Sequence, residues 1–486
     1  MEEQADRIST GISGLDEILQ GGFLANRTYL IRGGPGTGKT TLGFHFLCAG
    51  ASNDERTLFI TLTEPENRLR QDALQKGFDL NQVNFLDLTP APGLAAEDSS
   101  YSVFEPGEVE QEPLLNKIIT TINELKPKRV FLDCISQFQY LAHDTFQFRK
   151  QILSLTRLIV DQGATLLLSS EVSKLVPDDD IQFLCDGIIN LNYNQNRRWL
   201  QVVKFRGSDF RYDIHSLRAD KSGISVYPKL PFDGSVKEHN YEMISSGIPE
   251  LDEMLHGGLE RSTSTVISGP TGIGKTTLGV QFMKEAAGRG ERSAIYTFEE
   301  GEGFLLRHCE AVNIPVRAMV ERGTLSITKV NPLELSPDEL SFKIRHEVEQ
   351  METKIVMIDS ISGYRISFED KEHEGFEMIR HLHALIEYLK GKGVTVLLIN
   401  EIQNITGDFK ISEHGISYLA DNVIFLRYLE MRGEMRKALG VLKKRLSNFE
   451  KYLCEIEITN FGLKLGAPLN ELRGILTGNP EFLVKD

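Results

Sequence analysis

Two copies of one phosphate-binding pattern constrain the fold of this 486-residue chain more than any other feature. GGPGTGKT runs from Gly33 to Thr40 and GPTGIGKT from Gly269 to Thr276, and both match G-x-x-x-x-G-K-[ST]. An apolar run precedes each loop, and an apolar pattern of helical spacing follows it. Each loop is therefore predicted to join a buried strand to a helix N-terminus, where glycines turn backbone N–H groups toward an anion. The alternative is a glycine-rich turn that matches by chance, and two such matches in one chain argue against it.

The pattern assigns a role to each polar residue of the loops. Lys39 and Lys275 are predicted to reach the terminal phosphates of ATP, and the hydroxyls of Thr40 and Thr276 to ligate Mg²⁺. The residues predicted to contact ATP are Gly34, Gly36, Thr37, Gly38, Lys39, Thr40 and Thr41 in the first loop, and Thr271, Gly272, Ile273, Gly274, Lys275, Thr276 and Thr277 in the second.

An apolar strand that ends in an aspartate follows each loop. Asp133 comes after Val-Phe-Leu, and Asp359 comes after Ile-Val-Met-Ile. This is the Walker B pattern, whose carboxylate holds the metal directly or through water. Many buried strands end in Asp, so the signal is weak alone, but here it recurs downstream of a phosphate-binding loop in each half. We predict that Thr40 with Asp133, and Thr276 with Asp359, hold Mg²⁺.

The two loops belong to a longer internal repeat. ISTGISGLDEILQGG begins at Ile8 and ISSGIPELDEMLHGG at Ile244, and the offset between them equals that between the two P-loop lysines. The period is too long for a solenoid and fits two homologous domains in tandem. Alternation of strands and helices predicts α/β domains with mostly parallel sheets flanked by helices.

The linker and domain limits follow from local composition. Residues 227–242 carry prolines, a glycine and mixed charge, as linkers do. We predict a first domain over 1–234, a second over 235–470 and a short tail over 471–486. Residues 94–113 are acidic and rich in turn formers, which predicts a surface loop.

Charge and composition exclude several classes of protein. Asp and Glu number 69 against 54 Lys and Arg, and the net charge of −15 argues against a protein that mainly grips nucleic acid. No apolar run approaches the length of a membrane span, and the acidic start is unlike a secretory signal. The five cysteines form no C-x-x-C pair, which favours reduced thiols in the cytoplasm.

Besides the two loops, the chain carries the repeated lead-in G-x-x-x-L-D-E-x-L-x-G-G and the stretch RYLEMRGEMRKALGVLKKR. With these features it resembles the KaiC family of two-domain RecA-like ATPases, known from the cyanobacterial circadian clock. The resemblance covers nearly the whole chain. It implies RecA-like domains, a homo-hexameric double ring with ATP at the subunit interfaces, ATP hydrolysis in the first ring and autokinase activity in the second. It also implies a KaiB-like or other signalling protein as partner.

The resemblance points to one pair of adjacent catalytic positions in each half. Glu299 and Glu300 stand at the positions of the family's catalytic pair, and a carboxylate beside the γ-phosphate can orient or deprotonate an attacking oxygen. The alternative is that they begin a solvated helix. In the first half, Thr63 and Glu64 occupy these positions. Because Thr63 cannot accept a proton at neutral pH, either Glu64 is the catalytic residue or hydrolysis there is weak.

Basic residues near the end of each half are the predicted interface cations. By the resemblance, Lys204 and Arg206 in the first half, and Lys443 and Arg445 in the second, reach a neighbouring subunit's γ-phosphate. A cation supplied in trans stabilises charge that develops during transfer. The alternative is an exposed strand edge with solubilising charge. Leu446 departs from the family pattern, which usually has glycine there.

A phosphoacceptor is implied in EHGISYLADNVIF. Ser417 stands at the family's serine and Tyr418 at its threonine, so at most a single-site autophosphorylation at Ser417 is expected. The alternative is a plain turn or N-cap serine.

Three functions remain open from the sequence. The first is a signalling ATPase with Ser autokinase activity. The second is a RecA-like DNA-processing motor, which the charge disfavours. The third is a scaffold that binds ATP to hold the ring, with an inactive first domain.

Overall fold

The chain divides into two compact units, residues 1–229 and 230–486. The structure is a computed structural model. It describes residues 6–89, 106–141, 145–172, 178–194, 197–230, 242–368, 374–402, 418–431, 433–460, 462–475 and 481–482. The predicted boundary between residues 234 and 235 lies outside these ranges.

In the first unit, short helices and strands alternate along the chain. Its strands are β1 (Arg7–Ile8), β2 (Phe23–Leu24), β3 (Thr28–Gly33), β4 (Thr57–Thr61), β5 (Asn84–Asp87), β6 (Arg129–Asp133), β7 (Thr165–Glu171), β8 (Gly187–Asn194), β9 (Arg197–Phe205), β10 (Ile214–Asp220) and β11 (Gly223–Tyr227). Its helices are α1 (Ser13–Ile18), α2 (Lys39–Ala51), α3 (Glu66–Gln75), α4 (Pro106–Leu125), α5 (Ser136–Leu141), α6 (Thr145–Asp161) and α7 (Asp179–Leu184).

The second unit has a similar but not identical order of elements. Its strands are β12 (Met243–Ile244), β13 (Leu259–Glu260), β14 (Ser264–Gly269), β15 (Ser293–Thr297), β16 (Leu325–Lys329), β17 (Ile355–Asp359), β18 (Thr395–Glu401), β19 (Asn422–Met431), β20 (Glu434–Lys444), β21 (Cys454–Thr459), β22 (Gly462–Pro468), β23 (Leu472–Arg473) and β24 (Glu481–Phe482). Its helices are α8 (Pro249–Met254), α9 (Lys275–Gly288), α10 (Glu302–Ala311), α11 (Val316–Glu321), α12 (Pro337–Met351), α13 (Ile361–Ile366) and α14 (Glu374–Gly391).

Each unit is built on one large mixed sheet. Within the described residues the order is β11-β10-β9-β8-β3-β7-β6-β4-β5 in the first unit and β16-β15-β17-β18-β14-β19-β20-β21-β22 in the second. The run from β8 to β5 is parallel, as is the run from β16 to β19, and the remaining neighbours are antiparallel. The predicted fold class, tandem RecA-like α/β domains, is confirmed.

Both faces of the parallel strands are buried. In β3, Tyr29 and Ile31 enter one apolar cluster while Leu30 enters another on the opposite face. In β14, Ile267 and Val266 divide in the same way. Successive strand residues point to opposite faces, so helices packed on both sides explain why these strands read as continuous apolar runs.

One sequence prediction was wrong in part. Residues 106–113, expected to lie in a surface loop, begin helix α4, which continues across Pro113 to Leu125. The reason lies downstream: Ile118 and Ile122, four residues apart, are fully buried against the sheet and hold the helix there. Among the residues that the structure describes, no helix has the length and apolar character to cross a membrane.

Candidate functional site

The two phosphate-binding loops have the same backbone geometry. Helices α2 and α9 begin after Gly38 and Gly274, whose φ angles of 105° and 110° are in the left-handed region that favours glycine. Since glycine has no side chain to cap a helix, the first-turn N–H groups stay available for an anion. A Cβ built at Gly34 or Gly36 meets nothing within 4 Å among the described residues, so the loop surface is open. This geometry fits the phosphates of ATP.

The two loop lysines lie over their own loops. Lys39 Nζ donates to the carbonyl oxygens of Gly33 at 2.8 Å and Gly34 at 2.9 Å, and Lys275 Nζ donates to Pro270 O at 2.8 Å. Burial lowers the pKa of Lys275, although nearby carboxylates act in the opposite direction. A phosphate would replace these carbonyl contacts with a stronger, charge-assisted one.

Each loop threonine meets its Walker B aspartate. Thr40 Oγ1 donates to Asp133 Oδ2 at 2.6 Å, and Thr276 Oγ1 donates to Asp359 Oδ2 at 2.7 Å. The parallel register makes this possible, because β7 lies between β3 and β6, as β18 lies between β14 and β17. Hard oxygen donors of this kind suit Mg²⁺, which is usually bound by one or two carboxylates together with substrate phosphates. Within the described residues, no cluster of three His, Cys, Asp or Glu side chains is arranged to hold a metal without such help.

The two aspartates have different surroundings. The Ser169 hydroxyl donates a second hydrogen bond to Asp133. In the second unit Ile399 stands at the matching place in its strand and offers no hydroxyl. Burial raises the pKa of Asp359 to about 6, and Glu299 and Glu300 push it in the same direction. The second site therefore gathers more negative charge around its Walker B aspartate.

The glutamate loops have matching turns but different side chains. Thr61 Oγ1 donates to Glu64 O at 2.6 Å, and Thr297 Oγ1 donates to Glu300 O at 3.1 Å, so the turns after β4 and β15 correspond. In the second unit, Glu299 Oε1 accepts a 2.7 Å hydrogen bond from Ser360 Oγ. This bond links the glutamate directly to the strand that carries the Walker B aspartate.

The remaining carboxylates of these loops face outward. Burial, with the charge of Glu299, raises the pKa of Glu300, while His308 acts in the opposite direction. In the first unit Thr63 is exposed and Glu64 lies 3.9 Å from Arg68. The structure thus brings Glu299 to the Walker B strand, whereas Glu64 contacts the following helix.

The predicted interface cations contact the segments that lead into β8 and β19. Lys204 Nζ donates to Gln182 O at 2.8 Å, and Lys443 Nζ donates to Ala420 O at 2.5 Å. Arg445 donates to Tyr418 O at 3.0 Å. Burial lowers the pKa of both lysines, and the neighbouring arginines, Arg206 and Arg445, act in the same direction. The predicted phosphoacceptor Ser417 lies outside the described residues.

The sequence patterns do not predict several polar contacts near the loops. Thr271 donates from the loop apex to Glu401, at the end of the neighbouring strand. Lys76 Nζ donates to Thr41 Oγ1 at 3.0 Å. The hydrogen bond from Ser360 to Glu299 is a further contact of this kind. Aligning the two halves residue by residue would have pointed to Ser360, because Cys134 stands at its position in the first half.

Comparison with known proteins agrees with this geometry. A family model described as the KaiC ATPase matches residues 8–231 and again 244–470. The chain is 27% identical to circadian clock protein KaiC3 of Synechocystis sp., with 98% of this chain and 95% of the relative covered. It is 27% identical to circadian clock oscillator protein KaiC of Acaryochloris marina, over 98% of this chain and 92% of the relative. The KaiC of Parasynechococcus marenigrum is 28% identical, over 99% of this chain and 94% of the relative.

Proposed function

This chain belongs to the KaiC ATPase family, and on that premise we propose that it is a signalling ATPase whose second domain performs the better-organised phosphoryl transfer. The observation that carries the proposal is the hydrogen bond from Ser360 to Glu299, beside the Thr276–Asp359 pair. We assign residues 1–234 and 235–470 to the two domains and 471–486 to the tail.

Both loops bind ATP in this proposal. Their backbone N–H groups and the ammonium groups of Lys39 and Lys275 receive the phosphates. Mg²⁺, held at Thr40 with Asp133 and at Thr276 with Asp359, would screen the charge of the phosphate oxygens. Thr37 supports the loop, since its hydroxyl donates to Gly34 O at 2.9 Å.

Glu299 is the proposed base of the second site. It takes the proton of an attacking oxygen as that oxygen bonds to the γ-phosphorus and the bond to the bridging oxygen of ADP breaks. Water as the attacking group gives hydrolysis, and the Ser417 hydroxyl gives autophosphorylation. Glu300, the next residue along the chain, adds a second negative charge near Asp359.

The first site has Glu64 as its proposed carboxylate. Thr63 cannot replace a base, and Glu64 lies near Arg68 rather than near the Walker B strand. We therefore propose that hydrolysis is slower in the first domain. This asymmetry also favours a second candidate function for the first domain. In it, the bound ATP stabilises the assembly and is hydrolysed only slowly.

Assembly completes the sites in this proposal. The chain forms a cytoplasmic homo-hexameric double ring, and Lys204, Arg206, Lys443 and Arg445 reach the neighbouring subunit's nucleotide. The relatives whose names refer to the circadian clock support a signalling role, with a KaiB-like or other signalling protein reading the state of the ring. The net charge of −15 disfavours nucleic acid as a ligand.

Turnover in three matched variants tests the assignment. Glu299→Gln keeps the size of the side chain and removes the base, and we expect ADP release to fall about 100-fold at the second site. Glu300→Gln should lower it less, and Glu64→Gln should remove only the slower first-site component. Equal turnover in wild type and Glu299→Gln would contradict the assignment of the base.

Intact-mass measurement tests the kinase step. After incubation with Mg-ATP we expect one added phosphate, which Ser417→Ala removes. ADP release with no mass increase would reduce the proposal to an ATPase without autokinase activity. Salt-sensitive binding to single-stranded DNA would instead support the motor.

A further inference from the structure

Ser360 occupies an unusual junction in the second domain. It follows the Walker B aspartate and caps helix α13, accepting from Gly363 N at 3.3 Å. The same hydroxyl donates to Glu299 Oε1 at 2.7 Å. Ser360 is buried while Glu299 is exposed on its loop. One buried hydroxyl therefore connects the end of strand β17, the start of helix α13 and the exposed carboxylate.

Helix α13 is fixed from its other side by a second set of polar contacts. Tyr364, fully buried in α13, shares a 2.5 Å hydrogen bond with His381 Nδ1 of α14. His381 Nε2 lies 3.3 Å from Asp338 Oδ1 of α12. Three helices thus converge on the residue one turn after Ser360. Because side chains of a short helix move with its backbone, these contacts restrict where the Ser360 hydroxyl can lie.

The first domain differs at the positions of Glu299, Ser360 and Tyr364. Thr63 matches Glu299 and Cys134 matches Ser360. Phe138 matches Tyr364 and is buried without a hydroxyl to donate. Thr61 donates to Glu64 O and Thr297 to Glu300 O, in each case the residue directly after the compared position, so the two turns correspond. The turn therefore has the same threonine-to-backbone hydrogen bond in both domains. The side chains that hold Glu299 in the second domain have no equivalents at the compared positions of the first.

We propose that Ser360 is a positioning residue for Glu299, and that the Asp338–His381–Tyr364 contacts keep it in place through helix α13. The inference rests on the proposed role of Glu299 as base and adds how that base is held. A carboxylate at the end of a free side chain samples several rotamers, whereas one that accepts a bond from a buried hydroxyl stays in a narrower range. Loss of this bond should lower the rate of the chemical step more than it weakens ATP binding.

The first experiment removes the Ser360 hydroxyl at little cost to helix α13. Ser360→Gly loses both the bond to Glu299 and the cap bond from Gly363 N, but glycine at a helix N-cap costs only a few tenths of a kcal/mol. Ser360→Thr keeps both bonds. In full-length protein carrying Glu64→Gln, to suppress first-site turnover, we expect Ser360→Gly to lower kcat about 10- to 100-fold with an unchanged KM for ATP. Ser360→Thr should keep most of the wild-type kcat.

Failure of this inference can be distinguished from failure of the proposed function. Wild-type kcat in Ser360→Gly, together with impaired Glu299→Gln, would overturn the positioning role alone. Wild-type kcat in Glu299→Gln would overturn the base itself. A rise in KM for ATP with unchanged kcat in Ser360→Gly would mean that Ser360 supports only the nucleotide pocket, and would also overturn the inference.

The first domain offers the reciprocal experiment. In protein carrying Glu299→Gln, to suppress second-site turnover, Thr63→Glu introduces a glutamate at the matching turn. We expect Cys134→Ser to raise first-site kcat severalfold in the presence of Thr63→Glu and to leave it unchanged without that substitution. The same effect of Cys134→Ser in both backgrounds would contradict a bond between the two positions.

Discussion

At the scale of single residues, His45 links the first phosphate-binding helix to the edge of its sheet. Its Nε2 accepts from Ile224 N at 2.9 Å, and its ring meets Phe78 edge-on. Burial lowers the pKa of His45 from 6.5 to about 4, with a backbone hydrogen bond to Gly11 acting in the other direction. The neutral ring is thus the form that the folded domain requires, because a protonated Nε2 cannot accept from Ile224.

His45 makes the free energy of unfolding of the first domain depend on pH. Since the folded-state pKa lies below the unfolded value, His45 contributes its full stability above about pH 6.5, and this is lost as the pH falls toward 4. We expect His45→Gln, which keeps an acceptor but cannot titrate, to remove about 3 kcal/mol of the pH dependence of unfolding over that window. Fluorescence of Trp199, the single tryptophan, reports on the first domain. Identical pH profiles for both proteins would contradict the role of His45.

At the scale of elements, the loop-to-helix junction depends on one glycine. Gly274 has φ 110°, and a Cβ there would lie 2.4 Å from Ile458 Cδ1. We expect Gly274→Ala to destabilise the second domain by about 1 to 3 kcal/mol and to abolish its nucleotide binding. Gly288, at the other end of α9, has no described atom within 4 Å of its Cβ position, so Gly288→Ala should stabilise the second domain by about 0.5 kcal/mol and leave nucleotide binding unchanged. Thermal unfolding and titration with a fluorescent ATP analogue, both with Lys39→Ala present, measure these effects.

The same junction explains which elements the sequence could predict. In each unit the buried strand, the glycine loop and the apolar helix are consecutive in the sequence. Local patterns are therefore enough to predict β3 with α2 and β14 with α9. The contact of Thr40 with Asp133 was also expected, because the Walker B pattern gives the partner. The bond between Ser360 and Glu299 depends on the parallel pairing of β15 with β17, and no local pattern specifies which strands are neighbours. The start of α4 was missed because its first residues are turn formers, while its burial comes from Ile118 and Ile122.

At the scale of the whole molecule, two loops per chain predict two bound nucleotides. We expect two ATP per wild-type chain, one after Lys39→Ala, one after Lys275→Ala and none in the double variant, by equilibrium dialysis with Mg²⁺ present. Lys39 Nζ and Lys275 Nζ each lie 2.8 Å from a carbonyl oxygen of their own loop. We therefore expect both sites to bind ATP, although their rates of hydrolysis differ. Retention of two nucleotides by either single variant would contradict the assignment of that loop.

Assembly would make each site depend on two chains, and this can be tested by mixing. In the proposed ring, Glu299 acts on the nucleotide of its own chain while Arg445 comes from the neighbour. We first expect sedimentation with Mg-ATP to give a species six times the 54.7 kDa chain. Glu299→Gln and Arg445→Ala proteins, each carrying Glu64→Gln, should each have little activity alone.

Mixed rings of these two proteins would contain some interfaces with both native residues. If Arg445 acts in trans, random mixing of equal amounts restores native pairs at about a quarter of the interfaces, and turnover should recover in proportion. If Arg445 acts within its own chain, every site still lacks one of the two groups and no activity returns. Mixing the Glu299→Gln protein with a Glu299→Gln/Arg445→Ala protein is the matched control, because no chain then carries Glu299. Recovery in the control as well would mean that the activity comes from another site, whereas recovery confined to the first mixture requires the shared site.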